Sequence, residues 1–402
     1  MVLSLRQIFR DTSLTSVSSG FVATLVAFTS TIALVFHAAR SLGASPEQVT
    51  SWVLVLGLGM GLSSIGLSLW TRAPILITWS TPGAAVIASA ANGVSLSEAT
   101  GAFMVCGVLM WLCGVTGWFA RVMNRIPYAL ASALLAGILA KFALLAFAEA
   151  APHPLLVIGM MLTYLLGKRW WPRYAVLGVL LVGALLAWQQ GQLNAEQLTW
   201  SVATPVWVTP SWSWLAVIGM GLPLFIVTMA SQAVPGVSAI RVSGYEPPVS
   251  RLMSWSGLVT LIGAPFGGYA FNLAAITAAI VLNPHAHADP SKRYTAAVMA
   301  GLFYVAMGLL GGAVAGVLAA FPGALIMSVA GLALLGTIGN GLASALKDDH
   351  HREAALITFL VTLSGVTLMG IGSAFWGLVA GTLTLFVENF RVHPADDQTD
   401  EP

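Results

Sequence analysis

Apolar runs long enough for a bilayer crossing, which takes about 20 residues, follow one another from residue 15 to residue 390. Inside hydrocarbon, every backbone N–H and C=O must find a partner within the protein. The chain is 57% hydrophobic and only 8% charged, against about 25% charged in a soluble domain. No soluble fold covers that much apolar surface. The expected class is an all-α polytopic membrane protein.

The runs predict spans at 15–39, 48–69, 73–93, 97–119, 126–147, 153–167, 172–189, 213–237, 249–263, 264–283, 293–320, 322–345, 353–371 and 373–390. That is fourteen, or twelve if a short pair such as 153–167 and 249–263 is re-entrant. The first run follows Arg6 and Arg10 as a signal peptide would. With so many spans behind it, it reads as a retained span. Cytoplasmic loops of membrane proteins are enriched in Lys and Arg. With the N-terminus inside and each span flipping side, Arg6, Arg10, Arg72, Arg121, Arg125, Lys168, Arg169, Arg173, Arg241, Arg251, Lys292, Arg293, Lys347, Arg352 and Arg391 all fall inside, fifteen of the 17 basic residues. Arg40 falls outside and Lys141 within a span. Both termini are therefore expected in the cytoplasm. Because seven is odd, two seven-span halves then have opposite orientation.

Each half carries a proline-broken segment at the same place, its third span. The first is Thr78-Trp79-Ser80-Thr81-Pro82-Gly83-Ala84-Ala85. The second is Gly263-Ala264-Pro265-Phe266-Gly267-Gly268-Tyr269-Ala270-Phe271-Asn272. Discontinuous helices in corresponding positions of inverted repeats point to a transporter's substrate site. A second echo pairs Ala27-Phe28-Thr29-Ser30 of span one with Thr228-Met229-Ala230-Ser231 of span eight. In span three the β-branched Ile75, Ile77 and Thr78 suit extended chain. Ser80 or Thr81 suits a helix cap, and Pro82 suits a first helical turn. A half-helix is expected from Pro82 to about Ala91. In span ten, Gly267 and Gly268 permit unwound backbone, and Asn272 is the expected cap of a half-helix through Val281. Both helix starts would aim free N–H groups at the membrane centre, where an anion such as a carboxylate fits. Gly83 and Gly267 allow close approach, with Trp79, Tyr269 and Phe271 as an aromatic wall.

Other polar residues within spans are further candidates. The Gln232 amide suits a carboxylate or a neighbouring helix. Thr29, Ser30 and Thr31 offer hydroxyls, or bond back to their own helix. Lys141 is a functional candidate by position, or pairs with Glu149. Glu149, His153, His285 and His287 lie near span ends and read as solvated, and His37, which ends span one, could titrate or be solvated. Cys106 and Cys113, seven residues apart, read as buried apolar residues and not as a disulfide or metal pair.

Ser80-Thr81-Pro82-Gly83-Ala84-Ala85, Ala230-Ser231-Gln232-Ala233-Val234-Pro235-Gly236 and the stretch from Ala264 to Ile280 resemble the benzoate/proton symporters of the BenE family. So does His285-Ala286-His287-Ala288-Asp289-Pro290-Ser291-Lys292-Arg293-Tyr294. The likeness covers nearly the whole chain. It implies a bacterial inner-membrane importer of benzoate with protons, and a uracil-permease-like fold. That fold has seven-plus-seven inverted repeats, with spans 1–4 and 8–11 as a core domain and spans 5–7 and 12–14 as a gate domain. Its site lies between spans three and ten, beside one and eight. The substrate-binding candidates are then Thr29, Ser30, Ser80, Thr81, Gly83, Gln232, Phe266, Gly267, Tyr269, Phe271 and Asn272. Nucleobase permeases of that fold carry acidic side chains in spans eight and ten, and this chain has none there. Their absence suits an anionic substrate and leaves the proton carrier open.

The expected organisation is a cytoplasmic N-terminus (1–14), a first repeat (15–190), an extracytoplasmic connector without Lys or Arg (191–212), a second repeat (213–390) and an acidic cytoplasmic tail (391–402). The partners are a benzoate-like anion, protons and the bilayer, with homo-oligomerisation left open. No nucleic acid, cofactor or metal is implied. Another weak acid, a nucleobase-like solute or an anion channel remain alternatives. A nucleophile–base pair or metal cluster at membrane depth, as an enzyme requires, is not found. Nor is an ATP-binding loop.

Overall fold

The structure is a computed structural model and describes residues 5–118, 128–194, 202–274, 277–369 and 371–389. Arg121, Arg125, Arg391 and the acidic tail lie outside the described residues, as do the side chains of Ser30 and Arg173.

The described residues are helical almost throughout. In order come α1 (Leu5–Asp11), α2 (Leu14–Ser41), α3 (Pro46–Thr71), β1 (Ile77–Trp79), α4 (Thr81–Ser89), α5 (Leu96–Val115), α6 (Tyr128–Ala148), α7 (Pro154–Trp170) and α8 (Ala175–Gln189). After an irregular stretch come α9 (Trp214–Val242), α10 (Val249–Gly263), β2 (Phe271–Leu273), α11 (Ala278–Leu282), α12 (Tyr294–Leu309), α13 (Gly311–Ala320), α14 (Gly323–Ala345), α15 (Arg352–Ser364) and α16 (Ser373–Asn389). Among the described residues, six helices are long and apolar enough to cross a membrane, or seven if Pro290–Leu309 and Gly311–Ala320, bent by 66°, form one span.

Local chemistry sets many of the helix starts. Ser13, Ser45 and Ser95 each accept from the third backbone N–H of α2, α3 and α5, and the third side chain returns the bond. α15 ends where Gly365 takes a left-handed φ of 69°. At 13 residues it is about 20 Å long, short of the roughly 30 Å of a hydrocarbon core. The predicted span 353–371 is thus cut short by a glycine C-cap.

Small residues let the helices pack without intervening side chains, as in membrane interiors. α3 lies on α12 so closely that a Cβ on Gly57 would sit 2.5 Å from Gly308 Cα. α5 lies on α10 through Gly107, whose Cβ would meet Leu261 N at 2.8 Å. α6 packs on α14 and α15, α15 on α16, and α7 on α8. The connector before α9 is irregular over residues 202–213 and is tied down by backbone bonds. Val208 N–H donates to Pro265 O, Ser211 N–H to Ser97 O, and Ala203 N–H to Leu309 O.

The two broken segments meet. β1 pairs antiparallel with β2, in the register Ile77↔Leu273, Thr78↔Asn272 and Trp79↔Phe271. Ser80 N–H to Ala270 O (3.1 Å) and Ala274 N–H to Leu76 O (2.8 Å) extend the ladder at both ends. The first half-helix forms as the sequence predicts, over Thr81–Ser89 with Ser80 as its cap. The second differs. Asn272 is a strand residue, and its amide donates to Ala270 O, 2.9 Å away, beside a backbone with a positive φ of 38°. That left-handed alanine needs the support more than a helix needs the cap. The helix that follows is Ala278–Leu282, only five residues.

Candidate functional site

A cavity of about 250 Å³ lies between the start of α4, the middle of α9 and the facing helices α6 and α14, with Thr31 of α2 on its wall. Its position follows from two interruptions of regular helix. At the first, the extended β1 strand turns into α4. Gly83 N–H donates to Ser80 Oγ at 3.0 Å, and Ala84 N–H to Ser80 O. Pro82 has no N–H. Thr81 N–H is therefore the first-turn donor left without an acceptor among the described residues. The positive end of α4's dipole sits at the same place.

The second interruption is in α9. Met229–Ala233 forms a π-helical turn, with Val234 N–H reaching back to Met229 O. Pro235 follows, and a proline inside a helix removes a backbone bond and clashes with the preceding turn. One extra residue in the turn absorbs that conflict. A matching turn, Val217–Gly221, precedes Pro223. The π-turn carries Ala230, Ser231 and Gln232 on the cavity wall. Thr228, one turn earlier, shares a 2.9 Å hydroxyl bond with Ser80. That bond ties α9 to the cap of α4.

Of the sequence candidates, Thr31, Thr81 and Gln232 line the cavity. Ser80 and Gly83 are buried directly behind it, and a Cβ on Gly83 would meet Leu224 Cδ1 at 2.6 Å. The other described candidates lie elsewhere. Thr29 bonds back to Leu25 O (2.8 Å) and lines an apolar groove between α2, α13 and α14. Phe266 stacks edge-on against Trp207, and its carbonyl accepts from Ser51. Gly267 has a φ of 94°, and Trp52 occupies the place of any Cβ. Tyr269 packs between Trp52 and Phe103. Phe271 packs on Gly59 and Gly263, with its N–H donating to Thr260. Asn272 is fully buried, and its Oδ1 accepts no bond among the described residues. The indole of Trp79 donates to Thr31 Oγ1 at 2.9 Å and so supports the wall from behind.

Residues on α6 and α14 complete the cavity and were not among the candidates. Tyr128, Ser132, Leu135 and Leu139 come from α6, and Ala333, Leu334, Thr337, Asn340 and Ser344 from α14. Thr337, Asn340 and Ser344 recur at helical spacing on one face of an apolar span. That periodicity was the available signal. No charged side chain lines the cavity. Its polar groups gather at α4, the π-turn and the Tyr128–Asn340–Ser344 mouth. Leu135, Leu139 and Leu334 form an apolar side. Lys141, one turn from the cavity, lies with its ammonium against Gly365 at the end of α15. There a cation complements the negative end of the helix dipole. No ion pair joins Lys141 to Glu149 among the described residues. Both cysteines are free and buried. No cluster of three His, Cys, Asp or Glu forms a metal site among the described residues.

The family described as benzoate membrane transport protein matches residues 10–387. The chain is 46% identical over 371 residues to the inner membrane protein YdcO of Escherichia coli (strain K12), covering 92% of this chain and 95% of that one. It is 35% identical over 387 residues to the benzoate membrane transport protein of Acinetobacter baylyi, covering 96% and 98%. Among solved structures, SLC26A9 aligns over 96% of this chain and 68% of its own, with a TM-score of 0.63 at 11% identity. At that identity the likeness is one of fold. The matched family and the Acinetobacter relative are both described as membrane transport proteins, and this chain belongs to the benzoate membrane transport family.

Proposed function

We propose that this protein imports benzoate, or a similar aromatic carboxylate, together with a proton across the bacterial inner membrane. The observation that carries the reading is the divided lining of the cavity. A carboxylate placed at the α4 end meets Thr81 N–H, the Thr81 hydroxyl and the Gln232 amide. Hydrogen bonds to a charged acceptor are worth about 1.5–3 kcal/mol each. A ring extending from that carboxylate packs on Leu135, Leu139 and Leu334. No acidic side chain among those lining the cavity would repel the anion.

In this reading the chain has fourteen spans as two inverted seven-span repeats (15–190 and 213–390), with both termini in the cytoplasm. Pairing of the third spans through β1 and β2 supports it. So does the clustering of α2 to α5 with α9 to α13 as a core, and of α6 to α8 with α14 to α16 as a gate. The cavity then lies where the two bodies face each other. Movement of one past the other alternates access to the site.

Uptake of labelled benzoate into proteoliposomes tests the proposal. A carrier shows counterflow exchange, and proton coupling shows faster uptake as the outside is acidified. Leak without counterflow indicates a channel. A competition panel that favours another weak acid or a nucleobase reassigns the substrate.

A further inference from the structure

Beyond Thr31 and Leu139 on the cavity wall, α2 and α6 meet through one ring contact. His37 lies six residues beyond Thr31 on α2, about 9 Å further along the helix at 1.5 Å per residue. Phe142 lies three residues beyond Leu139 on α6. The two rings meet edge to face, with centroids 5.7 Å apart and planes at 81°. The residues flanking His37 on α2, Leu34, Val35, Phe36, Ala38 and Ala39, are buried. The opposite end carries the exposed Tyr128 and Asn340. The sequence suggests a solvated His37 at a span end, but α2 continues to Ser41 and places the imidazole half-buried in a helix contact.

This ring has no hydrogen bond or ion pair among the described residues. Of the elements packed on α2, α4, α8, α11 and α14 carry no charged side chain, and α12 brings only the tyrosines Tyr294 and Tyr304. Glu47 at the start of α3 is exposed and bonded to Ser45. On α6, Lys141 lies against Gly365, and Glu149 follows the helix end. Arg40 on α2 is exposed. Among the described residues, His37 is thus the titratable group at this contact without a counter-charge.

We propose that His37 is the proton-carrying residue of the transport cycle and that its contact with Phe142 is the gate it controls. This rests on the proton-coupled reading above. Closing the gate buries whatever charges are present, and a lone buried charge is costly. A neutral imidazole over an empty cavity closes freely. An imidazolium over a bound carboxylate also closes, because the two charges compensate. Either charge alone resists closure. The proton comes from the solution on the His37 side and leaves to the other side with the anion. The carrier therefore moves both or neither, which is the rule of a symporter.

The test uses the full chain in liposomes, with benzoate binding read by tryptophan fluorescence. Wild-type exchange should rise about fivefold or more from roughly pH 8 to pH 6, the range in which imidazole titrates. His37→Gln should bind benzoate within about threefold of wild type, yet exchange it about tenfold more slowly with a flat pH profile. His37→Lys, permanently charged, should exchange at a rate within about threefold of acidified wild type, with a flat profile and no proton-driven accumulation. Benzoate binding shows that a variant is folded, and either variant alone decides. A wild-type pH profile in either variant overturns the proposal. Failure of the wild type to bind or exchange benzoate instead overturns the assigned function.

Discussion

Thr81 and Pro82 of the first broken segment face the cavity, whereas Phe271, Asn272 and Leu273 of the second are fully buried. Both segments have a proline, an extended strand and a following helix. The first leads into nine helical residues capped by Ser80. The second leads into five, and its aromatic residues fill space between Trp52, Phe103 and Gly59. The same local irregularity therefore serves two purposes. One segment presents a helix start to the cavity. The other supplies the strand that fixes that start in place.

Substitutions test this division, because damage to the second segment should fall on stability and damage to the first on binding. The largest effect is expected for Gly267→Ala. Its left-handed φ and the Trp52 ring leave no room for a Cβ, which should cost about 3–5 kcal/mol. Thermal unfolding in detergent should show the loss, while the folded fraction binds benzoate with unchanged affinity. Gln232→Ala comes next. It should weaken benzoate binding about 10- to 100-fold, the equivalent of one charge-assisted hydrogen bond, with little change in melting. Unchanged affinity would make Gln232 a packing residue. Thr228→Val removes the hydroxyl link to Ser80, so stability should fall by about 1 kcal/mol and affinity by less than about fivefold. Phe266→Leu should be mildest, losing an edge-on contact with Trp207 worth about 0.5–1.5 kcal/mol, with affinity unaltered. A binding loss for Phe266→Leu or Gly267→Ala that matches the loss for Gln232→Ala would erase the distinction between the segments.

Much of the first segment was legible in sequence because its signals are local. Ser80 before Pro82 marks a capped helix start, and β-branched residues mark the strand ahead of it. The second segment misled because Asn272 has two local uses, cap and backbone prop. The strained turn at Ala270 that settles between them is a product of tertiary pairing. The π-turn was hidden for another reason. Pro223 and Pro235 are visible, but whether a proline kinks a helix or is absorbed by an extra residue depends on what packs around it. The α6 and α14 wall combines helices far apart in the chain. Its polar face of Thr337, Asn340 and Ser344 gains meaning only opposite Gln232.

The central claim is that the substrate carboxylate binds where α4 begins. A structure of the protein with benzoate bound tests it most directly. The predicted result is a carboxylate within hydrogen-bonding distance of Thr81 N–H and the Gln232 amide, with the ring on Leu135, Leu139 and Leu334. Benzoate bound instead against Tyr269 and Asn272, or away from the α4 start altogether, would contradict it.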